Sequence, residues 1–416
     1  PAFLHLVAAV IVWRIALRLI DSRAGQLAAP ILLWCGSAWT VWQSTKERGF
    51  YGVGIVLATL LVLLAMRLVE SDATSDALAF GIAAGLAVWT TPLLVLVALP
   101  CSAWIAVRRP SVIRKLPVIA AAAVVGALPW LVWNVRHGFA SFEQTQAFSV
   151  PLVDRALSGV NKLPALLDAT YSLDALPRPL GWPTLLTLMV LVALVVIAHC
   201  RTRARAPGLL ATLIVGYLAL YPLLNATVTV GGDLRYLYFL TPWLALAVAA
   251  VLPDVSTPRA RALLVATVVA GGTVASAVAL ARLNHVAGES KTNLSRPGLE
   301  SVIDRLLEED VDFAITDIAG NQITYLSDGR IEASSFAFPR FPHLERLALR
   351  PHASTYVLYE DSAYEDQLVD YLERTGTPYR IERHGSWVVV FIDQWVPPWQ
   401  AELREVFTGE VVGPPR

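Results

Sequence analysis

Stretch after stretch of this chain is apolar for about 17–25 residues, the length that crosses a bilayer as a helix. Such runs fall near residues 2–20, 25–44, 51–69, 116–135, 182–200, 208–229, 236–252 and 263–283. The stretch 77–107 is too long for one crossing. Thr90-Thr91-Pro92 divides it, because proline lacks the N–H that a helix interior needs. It reads as two shorter helices running up and back, which gives about ten membrane passes. Composition agrees: 56% of the 416 residues are hydrophobic and 16% charged, against about a quarter charged in soluble domains. Mean hydropathy is +0.56. The expected fold is an all-α polytopic membrane domain of about ten transmembrane helices, followed by a small α/β domain. A net charge of +0 offers nothing to nucleic acid. Cys35, Cys101 and Cys200 lie far apart in or beside apolar runs, so they read as small core residues rather than a disulfide or zinc framework.

Orientation follows from Lys and Arg in short connections, which stay in the cytoplasm. Arg108, Arg109, Arg114 and Lys115 form one basic connection, Arg201, Arg203 and Arg205 a second, Arg259 and Arg261 a third. With all three cytoplasmic the passes alternate without contradiction. Residues 21–24 and 70–76 are then cytoplasmic, and 45–50, 136–181, 230–235 and everything after about 284 external. This predicts an integral plasma (inner) membrane protein with an extracytoplasmic C-terminal domain. Pro1 starts outside without a signal-peptide pattern, so at least one further pass is expected before it.

Charged residues become frequent after about 284, which sets the domains at 1–285 and 286–416. Leu299–Glu308 has an amphipathic helical pattern, with Leu299, Val302, Ile303, Leu306 and Leu307 on one face. Phe313-Ala314-Ile315, Thr355–Tyr359, Tyr379–Glu382 and Trp387–Ile392 read as strands, and Asp366–Arg374 as a helix. This alternation predicts a small α/β domain. Thr316-Asp317 and Asp328-Gly329-Arg330 look like turn chemistry. No nucleophile–base set, metal-ligand spacing or phosphate loop appears there, so the domain supports or binds.

Polar residues concentrate at the external ends of helices. Glu47 and Arg48 stand in a short external turn, where ionisable side chains avoid the several kcal/mol they would cost in hydrocarbon. They read either as a solvated hairpin or as the wall of a polar pocket in which Arg48 contacts phosphate. Gly231-Gly232-Asp233-Leu234-Arg235-Tyr236 begins a later pass, with glycines that let the backbone turn tightly or approach a ligand. Asp233 and Arg235 can pair with each other or hold a sugar hydroxyl and a phosphate. Pro129–Phe142 ends a long apolar helix in an aromatic belt. Within it Asn134 and His137 stand about one helical turn apart and can share a face. His5, His199 and the sequons at Asn225 and Asn293 are given no functional role.

Trp89-Thr90-Thr91-Pro92, Leu128-Pro129-Trp130-Leu131-Val132-Trp133-Asn134 and Arg235-Tyr236-Leu237 together make the chain resemble the multi-pass GT-C glycosyltransferases. The likeness is to the protein-O-mannosyltransferase and aminoarabinosyltransferase branch, over roughly residues 25–285. It implies inverting transfer of a sugar from a polyprenyl-phosphate carrier to a glycan, lipid or protein acceptor on the non-cytoplasmic face. In that family a carboxylate in the first external loop deprotonates the acceptor hydroxyl while cationic groups hold the leaving phosphate. That loop would precede Pro1, so the resemblance implies that the main acid lies upstream. Glu47 is carried over as a secondary acid or a neighbour of metal or phosphate. Arg235 and Tyr236 become donor-phosphate contacts, with Arg48, Asn134, His137 and Asp233 as further substrate-binding candidates. A divalent cation is the only cofactor such chemistry would call on. Membrane lipids and the lipid-linked sugar are the expected partners.

Two other readings fit the same residues. One is an inactive scaffold that binds lipid-linked sugar without transferring it. The other is a transporter or flippase, which would be expected to carry inverted repeats and charges near the midplane. The polar clusters here sit at helix ends, which favours chemistry on a headgroup.

Overall fold

The computed structural model describes residues 2–37, 40–41, 44, 50–136, 138–139, 153, 157, 184–206, 208–224, 234–252, scattered positions between 257 and 281, 296–317, 319–336, 353–360, 362–403 and 411–412. For 184–188, 222–224, 234–236, 296–297 and 321 it describes the backbone alone. The chain forms two compact units, Pro1–Leu283 and Asn284–Arg416.

The first unit is helical: α1 (Ala2–Leu19), α2 (Arg23–Cys35), α3 (Tyr51–Ser71), α4 (Thr74–Thr90), α5 (Val95–Arg108), α6 (Leu116–Gly126), α7 (Leu128–Arg136), α8 (Thr184–Thr202), α9 (Leu209–Leu224) and α10 (Thr241–Val251). Tight 3-10 turns span Pro92–Leu94, Pro110–Lys115 and Leu234–Leu240.

Ion pairs bring the ends of several helices together. Arg18 near the end of α1 pairs with Glu70 near the end of α3 at 2.6 Å. Asp21, after α1, pairs with Arg205, after α8, at 2.6 Å. Asp72 closes α3 in the left-handed region (φ 49°). Its carboxylate accepts from Lys115 at 2.6 Å, Ser111 at 2.9 Å and Arg109 at 3.4 Å. The Lys115 hydrogen bond, then that from Ser111, holds the Asp72 carboxyl below its usual range. The connections 20–22, 72–73, 109–115 and 203–206 therefore share one end of the unit. Helix α4 leaves that end and α5 returns to it, so the chain reverses at Thr91-Pro92 as expected. Thr91 is extended (φ −164°, ψ 132°), and its hydroxyl accepts from the Leu93 N–H.

The expected count of about ten transmembrane helices does not hold. Among the described residues only Ala2–Leu19 and Tyr51–Ser71 are long and apolar enough to cross a bilayer alone. A third crossing exists if Pro110–Gly126 and Leu128–Arg136, bent by 64°, count as one. Of the other apolar runs, 25–44 and 236–252 form shorter helices, 182–200 falls in α8, whose side chains are described only from Met189, and most of 263–283 lies outside the described residues. The run 25–44 stops being α2 at Gly36 after 13 residues, a rise of about 20 Å against an apolar core of about 30 Å. The run 236–252 begins as a 3-10 turn and becomes α-helical only from Thr241. The 64° bend falls beside Pro129, whose missing N–H leaves Val125 without its helical donor.

Small residues let these helices touch backbone to backbone. Gly81 and Gly85 of α4 face Ile119 and Ala123 of α6, and Gly126 faces Ile82 in return. Such close approach is how helices associate where burial from water offers no drive. Apolar side chains face outward instead. On α1, Phe3, Leu6, Val10, Trp13 and Leu17 are exposed at helical spacing, while Ala8, Val12, Ile15, Ala16 and Leu19 pack inward. Contiguous apolar surface of this kind is uncommon on soluble proteins and fits lipid.

The second unit is an α/β domain with sheet order β2-β1-β3-β5-β4. Strands β1 (Phe313–Thr316), β2 (Glu332–Ser335) and β3 (Ser354–Tyr359) are parallel; β4 (Tyr379–His384) and β5 (Trp387–Ile392) add an antiparallel hairpin. Helices α11 (Arg296–Glu308) and α12 (Gly320–Leu326) cover one face, through Leu299, Val302, Leu306 and Ile323 on Val357 and Val389. Helix α13 (Ala363–Thr375) covers the other, with Leu368 and Leu372 on Tyr356, Val388 and Val390. Thr316 ends β1, and the positive φ of Asp328 and Gly329 makes the turn that their sequence announced.

Arg305 joins α11 to β4 through Glu382 at 2.7 Å, and Arg380 bonds Glu309 at 3.0 Å. The Arg305 hydrogen bond holds Glu382 below the ordinary 4.5, and that of Arg380 does the same for Glu309. Groups depressed in the folded state stabilise it above about pH 4.5 and lose that contribution as pH falls through their folded values. The melting temperature of this domain is expected to drop below pH 4.5 in wild type and to change less in Arg305→Met. Identical acid limbs for the two proteins would remove the network as the cause.

Candidate functional site

The end of the helical unit remote from the ion pairs gathers aromatic side chains. Tyr51 opens α3, and Tyr238 and Phe239 lie on the turn Leu234–Leu240. The Tyr51 ring meets Tyr238 edge-on at 5.7 Å and lies nearly parallel to Phe239 at 6.3 Å, separations at which ring pairs attract. His5 of α1 hydrogen-bonds the Tyr238 hydroxyl through Nε2, and both residues are buried. Thr241 Oγ1 donates to the Tyr238 carbonyl at 2.8 Å. Tyr238 is thus held at its ring tip by α1 and at its backbone by α10.

Phe239 occupies the space that a side chain at position 54 would need. A Cβ on Gly54 would stand 2.8 Å from the Phe239 ring and 3.9 Å from the Thr91 methyl. Three segments singled out in the sequence meet here. They are the start of α3 just after Glu47-Arg48, the helix break at Thr90-Thr91-Pro92, and the turn that carries Arg235-Tyr236-Leu237.

No protein-family model, curated protein or solved structure matches this chain.

Glu47, Arg48, His137 and Asp233 lie outside the described residues. Arg235 and Tyr236 are described as backbone within the turn Leu234–Leu240. Asn134 is fully buried, and its Nδ2 donates to the Trp130 carbonyl at 3.0 Å within its own helix. Helix α7 packs on α4 and α6, whereas the turn Leu234–Leu240 packs on α3, α9 and α10. No described hydrogen bond or ring contact brings Asn134 to Tyr51, Tyr238 or Phe239. Trp133 on α7 is 46% exposed, as suits a side chain that sets helix depth at an interface.

His5, given no functional role from the sequence, has its partner 233 residues away. Its replacement by Phe strands the Tyr238 hydroxyl in a buried setting, which costs about 1–3 kcal/mol. A double-mutant cycle in detergent with His5→Phe and Tyr238→Phe is expected to give a double variant less destabilised than the sum of the singles. Strict additivity would rule out coupling between the two groups.

In the C-terminal domain Asp317, just past β1, is buried beside Tyr359 at the end of β3, and Tyr359 stacks on Trp387 at 4.3 Å. Burial, then the charge of Asp317, pushes the Tyr359 phenol above its ordinary value. Among the described residues no group of three His, Cys, Asp or Glu side chains comes together as a metal site.

Proposed function

We propose that this chain is a membrane glycosyltransferase that moves a sugar from a polyprenyl-phosphate carrier to an acceptor hydroxyl, outside the cytoplasm, at the end where Tyr51, Thr91 and Phe239 meet. The observation that supports the reading is that convergence, because two of the three motifs behind the resemblance to GT-C enzymes, Trp89-Thr90-Thr91-Pro92 and Arg235-Tyr236-Leu237, lie on the segments that meet there. In the proposed step the acceptor oxygen attacks the anomeric carbon, and the bond from that carbon to the phosphate oxygen breaks. The electron pair leaves on the carrier phosphate, and the acceptor proton passes to a carboxylate. Arg235 and Arg48 would neutralise the leaving phosphate, where positive charge is most effective as negative charge develops. Glu47 would be an acidic neighbour of that phosphate or of a divalent cation. Tyr51, Tyr238 and Phe239 would hold the two segments in register without touching the reacting atoms.

The test is turnover by the purified full-length protein in vesicles loaded with a radiolabelled polyprenyl-phosphate sugar. Acceptor-dependent release of polyprenyl phosphate is expected. Saturable binding of the lipid-linked sugar without release identifies the scaffold instead, and movement of intact lipid between leaflets identifies a flippase.

A further inference from the structure

Among the described residues at the ion-paired end of the helical unit, cations outnumber the acids that could neutralise them. Asp21, Glu70, Asp72 and Asp76 are all engaged, by Arg205, Arg18, Lys115 with Arg109, and Arg67. Arg23, Arg108, Arg114, Arg201 and Arg203 are exposed at the same end, and among the described residues none of them has a carboxylate partner. Exposed apolar side chains sit directly beside them. Val107 precedes Arg108, and Ile113 and Leu116 flank Arg114-Lys115, at 78%, 60% and 59% exposure.

We infer that this end is a docking surface for anionic phospholipid headgroups. Guanidinium groups match phosphate oxygens in a two-pronged geometry that ammonium cannot copy. A soluble polyanion would satisfy the arginines but leave Val107, Ile113 and Leu116 in water. A lipid satisfies both, with phosphate on the arginines and acyl chain along the apolar residues. The Asp72 clamp on Ser111 and Lys115 keeps the Pro110–Lys115 turn folded against the helix ends, so Ile113 and Arg114 are presented on a fixed support. The inference rests on the membrane part of the reading above and is independent of any transferase activity.

The experiment is reconstitution of the full chain in nanodiscs of mixed phosphatidylglycerol and phosphatidylcholine, followed by native mass spectrometry of the lipids retained. Wild type is expected to retain phosphatidylglycerol over phosphatidylcholine, with each arginine near an anionic surface giving about a fivefold preference. The variant Arg108→Gln, Arg114→Gln, Arg201→Gln, Arg203→Gln is expected to lose most of that selectivity. Its melting in pure phosphatidylcholine should match wild type, since among the described residues none of the four side chains makes an ion pair. Arg136→Gln, at the other end, is expected to leave selectivity unchanged. Equal retention of the two lipids by wild type, or selectivity that survives the fourfold change, overturns the inference. Failure to insert into either lipid overturns the membrane reading, and this inference with it.

Discussion

Gly85→Val is expected to leave little or no correctly folded helical unit. A Cβ at position 85 would stand 2.0 Å from the Ala123 carbonyl oxygen and 2.7 Å from the Ala127 amide nitrogen. Both are backbone atoms, so no side chain can swing aside, and α4 and α6 must move apart. Their contact is the most extensive between any two described helices. The same seam is locked from the other side, where a Cβ on Gly126 would meet the Ile82 carbonyl at 2.3 Å. Overpacking that side chains can absorb costs about 1–3 kcal/mol. Prising two backbones apart should exceed that range, enough to remove most of the stability of a marginally stable unit. Gly52→Ala supplies the comparison, because its added Cβ meets only the flexible end of Leu4, at 2.9 Å. Size-exclusion profile and melting temperature in detergent decide the matter. A monodisperse Gly85→Val protein melting within a few degrees of wild type would show that the α4–α6 seam is not the tight contact described.

The α4–α6 seam also marks where sequence reading ran out. Apolar run length told where the chain is lipid-like, and Thr91-Pro92 told where one run had to fold back, because proline's missing donor acts locally. What ended α2 after only 13 residues and turned Leu234–Leu240 into a 3-10 segment are tertiary choices, and Pro129 marked a place where a bend could fall without giving its size. Helix propensity and hydropathy see neither choice. In the C-terminal domain the strands rich in Val, Ile, Tyr and Phe were legible, and so was amphipathic α11. Strand β2, Glu-Ala-Ser-Ser, carries no β-branched or aromatic residue and forms because β1 offers it a parallel edge. The same limit applied to the candidate site. Arg235-Tyr236 and Thr91-Pro92 were visible as local motifs, but the Tyr51–Tyr238–His5 cluster that joins distant segments depends on contacts far apart in the chain. His5 sits in a run that hydropathy scores simply as apolar.

Arg235→Ala is expected to reduce transfer from a polyprenyl-phosphate sugar by about 10²–10³-fold, the usual effect of removing one group that stabilises charge in a transition state. The protein should still insert and melt as wild type does. The turn that carries position 235 is anchored three and four residues later, by Tyr238 on His5 and Tyr51 and by Phe239 against Gly54. Stability and transfer therefore separate: His5→Phe should lower melting temperature, and Arg235→Ala should lower only the rate. Arg235→Lys discriminates further. It restores charge without the planar two-pronged donor, so partial recovery is expected if the arginine grips phosphate oxygens and full recovery if a point charge suffices. The reading also assigns the loss to kcat at saturating donor, because charge on the departing phosphate grows mainly as the bond breaks. An Arg235→Ala protein with a raised KM and an unchanged kcat would place the arginine in donor binding alone. Full activity with unchanged KM would remove it from the site, and the convergence of Tyr51, Thr91 and Phe239 would then be a packing arrangement without catalytic meaning.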